Sequence, residues 1–162
     1  MTDISQLNPG IPPGEIRTLE AGEQWSEALL RDCLSTFPHV RLKITGRCME
    51  PAFSDGDVVI LADPTRCPPR MGDVVLVRQT AGLRLHRLIW GPPLACRFDS
   101  WRSQADRAAI WDPRFAPGDI LGTVITVAGD QRTGRPANIG TALRSLIRGV
   151  WTRLRQSIHG RK

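Results

Sequence analysis

The chain has no tyrosine, and its aromatic residues amount to five Trp and four Phe. It also lacks metal-ligand spacing. Its four Cys form no Cys-x-x-Cys pair and its three His are not paired, so neither a zinc site nor any other metal or cofactor is expected. No run approaches the ~18 apolar residues that a membrane-spanning helix needs. Contact with a membrane is therefore expected only from its surface. Acidic residues are missing from the C-terminal end. All sixteen Asp and Glu lie at or before Asp130, whereas eight of the 22 Lys and Arg follow it. Residues 1–130 thus carry a net −2 and the tail +8, so the +6 of the whole chain describes a tail and not a basic domain. A secretory signal is absent too, since Met1 to Pro13 is polar and rich in Pro. Two disulfides among Cys33, Cys48, Cys67 and Cys96 are conceivable. The better expectation is reduced thiols in a cytoplasmic protein, peripheral at the membrane if its tail binds there.

What is present points to a mainly β fold with minor α. Thirteen Pro and fifteen Gly suit a turn-rich β protein better than a helical bundle. The length is that of one domain with a small appendage. Residues 1–21 read as a lead-in. Trp25, Ala28, Leu29, Cys33, Leu34 and Phe37 recur at helical steps and predict an N-terminal helix over Gly22–Phe37, ended by Pro38. Val40, Leu42 and Ile44 alternate with Arg41, Lys43 and Thr45, a half-buried strand. Val58–Ala62 is an apolar run and reads as a buried strand. Val74–Arg78 and Leu83–Trp90 predict a hairpin around Thr80–Gly82, with Leu83, Leu85 and Arg87 on one face and Arg84, His86 and Leu88 on the other. A short strand is expected at Leu94–Phe98, a long loop over Asp99–Pro117 and a last strand at Ile120–Val127. Residues 22–128 form the body, 129–140 a linker and 141–162 a basic amphipathic helix.

Cys48 follows the first of these strands, in a turn that begins at Gly46. Such a turn exposes a side chain and aims the backbone N–H groups of Gly46, Arg47 and Cys48 toward one point, as an oxyanion site requires. A nucleophilic thiol must ionise, and a neighbouring imidazole promotes this. His86, in the hairpin, is the candidate base. Composition alone makes the pair weak, because four Cys and three His combine in many ways.

The order of landmarks is more specific. Gly46-Arg47-Cys48-Met49-Glu50-Pro51 is followed by Asp55-Gly56-Asp57-Val58-Val59-Ile60-Leu61. Met71-Gly72-Asp73-Val74-Val75-Leu76-Val77, Leu85-His86-Arg87-Leu88 and Ile120-Leu121-Gly122-Thr123-Val124 come after them. Over residues 40–128 this series resembles the S24/S26 peptidase superfamily, which holds type I signal peptidases and LexA-type self-cleaving proteins. The resemblance implies a fold of several coiled, mostly antiparallel sheets. It also implies a nucleophile at Cys48, a base at His86 and a substrate pocket shaped by Met49 and Pro51. A His base is similar to the endoplasmic-reticulum-type branch, which places acidic residues after the base. Asp99 and Asp106 are the candidates to orient the imidazole. The remaining motif residues, Gly56, Asp57, Gly72 and Asp73, read as turn formers, and Arg87 as an ion-pair partner that supports the fold.

Three departures qualify the resemblance. Sulfur replaces the family's serine oxygen at Cys48. Gly46 occupies a position where some signal peptidases carry a hydroxyl. Neither a membrane anchor nor a helix-turn-helix precedes residue 40. The expected function is a signal-peptidase-like endopeptidase acting on a peptide or preprotein. The alternatives are an inactive peptide-binding or scaffold homologue and, behind it, a self-cleaving regulator. For the tail, Thr141–Lys162, an acid-free Arg face and an apolar stripe suit an anionic membrane surface or a partner. Packing on the body is the plainer alternative. Nucleic acid ranks last, because the tail lacks interleaved aromatics and the body is acidic.

Overall fold

A computed structural model of the chain describes residues 16–19, 26–80, 82–90 and 100–128, with 140 and 147 as single positions; for 16–19 the backbone alone is described. The protein is mainly β. Among the described elements, helix α1 (Glu27–Thr36) and a 3-10 turn, Pro117–Asp119, accompany seven strands. The strands are β1 (Ile16–Leu19), β2 (His39–Lys43), β3 (Val58–Ala62), β4 (Val74–Gln79), β5 (Gly82–Trp90), β6 (Arg102–Gln104) and β7 (Ile120–Val127). All seven join in one sheet, ordered β1-β2-β3-β7-β4-β5-β6, where several sheets were expected. β1 runs parallel to β2, and every other pair is antiparallel.

Helix α1 starts at Ser26, whose Oγ accepts from Leu29 N–H at 3.1 Å and so satisfies one of the free amides of the first turn. It ends at Phe37, which is extended because the residue before a proline disfavours helical backbone. Leu30, Cys33 and Leu34 face inward. Leu30 was absent from the apolar stripe read from sequence, although it is fully buried.

The sheet face beneath α1 carries the main core: Val40, Leu42, Val59, Leu61, Val74, Leu76, Leu121 and Val124, with Met49, Phe53 and Ala105. A smaller cluster of Val75, Val77, Leu88, Phe115 and Ile120 is packed by Trp101. The two sets separate because successive strand side chains point to opposite faces. The β4–β5 hairpin runs from Val74 opposite Arg87 to Gln79 opposite Gly82. β7 lies between β3 and β4, so the last strand closes the middle of the sheet.

Two expectations are corrected. The segment read as a lead-in contains β1, and the segment read as a long loop contains β6. β6 pairs with the second half of β5 only, Arg87 opposite Gln104 and Leu88 opposite Ser103. The strand expected at Leu94–Phe98 lies outside the described residues, as does the C-terminal helix apart from Ile147, which is helical. Among the described residues, no helix is long and apolar enough to cross a membrane. Among the described residues, Cys33, Cys48 and Cys67 form no disulfide.

Candidate active site

Cys48 occupies the turn after β2. Ile44 N–H donates to Asp57 C=O at 2.8 Å, and Gly56 N–H donates to Ile44 C=O at 3.0 Å, which ties the two ends of this loop together. Gly46 has φ +93°, a left-handed conformation that a residue without Cβ adopts at little cost. Space is not the constraint there, since nothing lies within 4 Å of where a Cβ would stand.

Gly46 N–H donates to Asp55 Oδ1 at 2.7 Å, so that amide is already engaged and does not serve an oxyanion. Glu50 N–H donates to Arg47 C=O. The N–H groups of Arg47 and Cys48 donate to no described residue. The oxyanion expectation thus narrows to these two. Met49, expected in a substrate pocket, is 3% exposed and packs in the main core. Pro51 is exposed and follows a cis peptide bond.

The Cys48 side chain is exposed. Its carbonyl accepts from Arg107 N–H at 3.1 Å, which links the turn to the segment after β6. Glu50 bridges the same two parts, accepting from Arg47 Nε at 2.7 Å and from Arg107 Nη1 at 2.8 Å. The Arg47 hydrogen bond, followed by the charges of Arg47 and Arg107, outweighs desolvation and holds the Glu50 carboxyl below its ordinary range. The same bond raises Arg47. The Cys48 turn is therefore tied to the segment after β6 by one carboxylate shared between two guanidinium groups.

His86 and Arg87 are neighbours in β5 and turn to opposite faces. Arg87 donates through Nε and Nη2 to the two oxygens of Asp106, at 2.8 and 2.7 Å, and through Nη1 to Gly72 C=O at 2.8 Å. Asp106, expected to orient the imidazole, is thus the partner of Arg87. Asp99, the other candidate, lies outside the described residues.

The carboxylate on His86 is Asp112, which sequence reading did not identify. His86 Nδ1 lies 2.6 Å from Asp112 Oδ2, and Ser103 Oγ donates to the same oxygen at 2.6 Å. Burial alone would raise the Asp112 carboxyl. Hydrogen bonds from His86 and Ser103, with the charge of His86, hold it below its ordinary range. A carboxylate accepting from Nδ1–H fixes the tautomer that leaves Nε2 as an acceptor. Nε2 makes no hydrogen bond with a described residue. Such an arrangement can take a proton at Nε2 and stabilise the resulting imidazolium.

Two cavities flank β5. A groove of about 140 Å³ is lined by Leu30, Leu42, Ile44, Leu76, Leu83 and Leu85 together with Lys43, and Thr45 carries it to the start of the Cys48 turn. A larger cleft of about 650 Å³ lies on the His86 side, with Arg78, Arg84, Asp112, Arg114, Phe115 and Asp119 in its wall. Cys48 lines neither of them. Among the described residues, no cluster of His, Cys, Asp and Glu is arranged to hold a metal ion. No protein-family model matches the chain, and no curated protein matches its sequence.

Proposed function

We propose that this protein is a signal-peptidase-like endopeptidase in which Cys48 is the nucleophile, His86 the base and Asp112 the residue that positions His86. The observation that carries the reading is the 2.6 Å contact of His86 Nδ1 with Asp112, which leaves Nε2 open. The resemblance of the Gly46–Pro51 and Leu85–Leu88 motifs supports it.

In this scheme His86 Nε2 takes the proton of Cys48 Sγ, and the thiolate attacks the scissile carbonyl carbon. The amides of Arg47 and Cys48 hydrogen-bond the developing oxyanion. Collapse breaks the C–N bond, and His86 returns the proton to the departing amine. Water, deprotonated by His86, then hydrolyses the thioester and restores the thiol. The peptide adds as a strand along the sheet, with an apolar side chain in the groove beside Thr45.

Iodoacetamide labelling tests the reading in the full chain. Cys48 is expected to label at least about tenfold faster than Cys33, Cys67 and Cys96, with His86→Ala removing the difference. Equal rates at all four thiols would sink the catalytic assignment. A second reading, a peptide-binding module that does not cut, is favoured by one observation: Cys48 does not line the cleft on the His86 side. Under that reading Cys48→Ala leaves function in cells unchanged.

A further inference from the structure

Among the described residues, the first half of β5 has a strand partner on one side only. β4 pairs along its whole length, but β6 pairs only from Arg87 onward. Among the described strands, none covers Gly82–His86 on that side. An extended peptide added there sends alternate side chains to opposite faces. One face leads to Leu83, Leu85 and the 140 Å³ groove. The other leads to Arg84, His86 and the 650 Å³ cleft.

The charges in that cleft are unequally satisfied. Arg78 donates to Asp119 at 2.6 Å and to Glu27 at 3.0 Å, so both of these carboxylates are neutralised within the fold. Asp112 is taken up by His86 and Ser103. Arg84 and Arg114 are both exposed, and neither makes an ion pair or side-chain hydrogen bond with a described residue. The charge left over in the cleft is cationic, and a guanidinium fork matches a carboxylate.

We propose that the His86-side cleft is a recognition subsite for an acidic side chain, Asp or Glu, of a peptide lying along the first half of β5, with Arg84 and Arg114 as its carboxylate-binding groups. The occupant is a peptide and not a free anion because the cleft adjoins strand backbone that no described strand pairs, which offers main-chain hydrogen bonds to another extended chain. The preferred sequence alternates apolar and acidic residues, one set for each face. This rests on the peptide-binding part of the proposed function and does not require cleavage.

The test uses the full chain carrying Cys48→Ala, so that bound peptide stays intact. Fluorescent peptides with Leu at alternate positions carry Asp, Ser or Lys at the others, and anisotropy gives Kd. The Asp peptide is expected to bind about tenfold more tightly than the Ser peptide at low salt, with the margin shrinking as salt rises. The charge reversal Arg84→Glu with Arg114→Glu should shift the preference to the Lys peptide, with an unchanged thermal melt reporting an intact fold.

Equal affinity for Asp and Ser peptides would overturn this subsite and leave the peptide-binding reading standing. Retention of the Asp preference after charge reversal would do the same. No binding of any peptide would overturn both. Inorganic phosphate or succinate bound through Arg84 and Arg114, without charge preference among peptides, would replace the subsite by a small-anion site.

Discussion

Two adjacent residues of β5, His86 and Arg87, each meet an aspartate from the segment after β6, and the two pairs differ in completeness. The Arg87–Asp106 pair is almost fully enclosed, its side chains 2% and 5% exposed. Both carboxylate oxygens are engaged, and the remaining guanidinium nitrogen reaches Gly72 C=O. The His86–Asp112 pair is more open, at 10% and 16%. One ring nitrogen is held and the other is left over. A buried ion pair that satisfies all its donors fixes two segments together, whereas a base must keep one atom uncommitted. The same strand therefore has one side whose polar groups are fully engaged and one that leaves a ring nitrogen available.

This contrast can be broken first at Asp112. Asp112→Asn should lower peptide cleavage by roughly 10³- to 10⁴-fold, because the amide no longer holds the reactive tautomer. Stability should fall by no more than about 1–2 kcal/mol. Cleavage kinetics and a urea titration on one sample separate the two effects. A variant that cuts normally would show that Asp112 does not position the base.

Asp106 should behave in the opposite way. Asp106→Ala leaves the Arg87 charge buried without its carboxylate and should cost about 3–5 kcal/mol of stability. The double change Arg87→Met with Asp106→Leu should recover much of that loss, since an apolar pair carries no uncompensated charge. Equal midpoints for the single and double variants would contradict the structural role.

The smallest effect is the acid response. The folded Asp112 carboxyl lies below its ordinary value of about 3.9. Its contribution to stability is complete above that value and disappears as pH falls through the lower folded one. Denaturation midpoints measured below about pH 5 should therefore decline less steeply for Asp112→Asn than for the parent. Parallel curves would mean that the bonds from His86 and Ser103 to Asp112 add nothing to folding.

The body of the fold was legible in the sequence wherever local pattern follows burial. β3 and β7 are largely apolar runs, and β4 and β5 are joined by a short turn; β2 alternates in sequence, but Arg41, read as its polar side, is buried as well. β6 was not legible, because Arg102-Ser103-Gln104 carries no apolar signature. Its Ser103 and Gln104 are buried by pairing with β5 and not by hydrophobicity. The pocket role of Met49 came from the resemblance, and a turn that folds back on the core buries its side chain. Asp112 carried no signal of its own, since a lone carboxylate among loop residues has no period.

By itself the sequence determined a mainly β chain, its strand-forming segments, the turn that presents Cys48 and the strand that carries His86. These follow from side-chain period and from residues such as Gly46 that set backbone conformation locally. Tertiary structure alone decided that β7 inserts between β3 and β4, that Asp106 goes to Arg87 and that Asp112 goes to His86. Strand order and carboxylate choice depend on groups distant in the chain and brought together by pairing across the sheet, which no local pattern encodes.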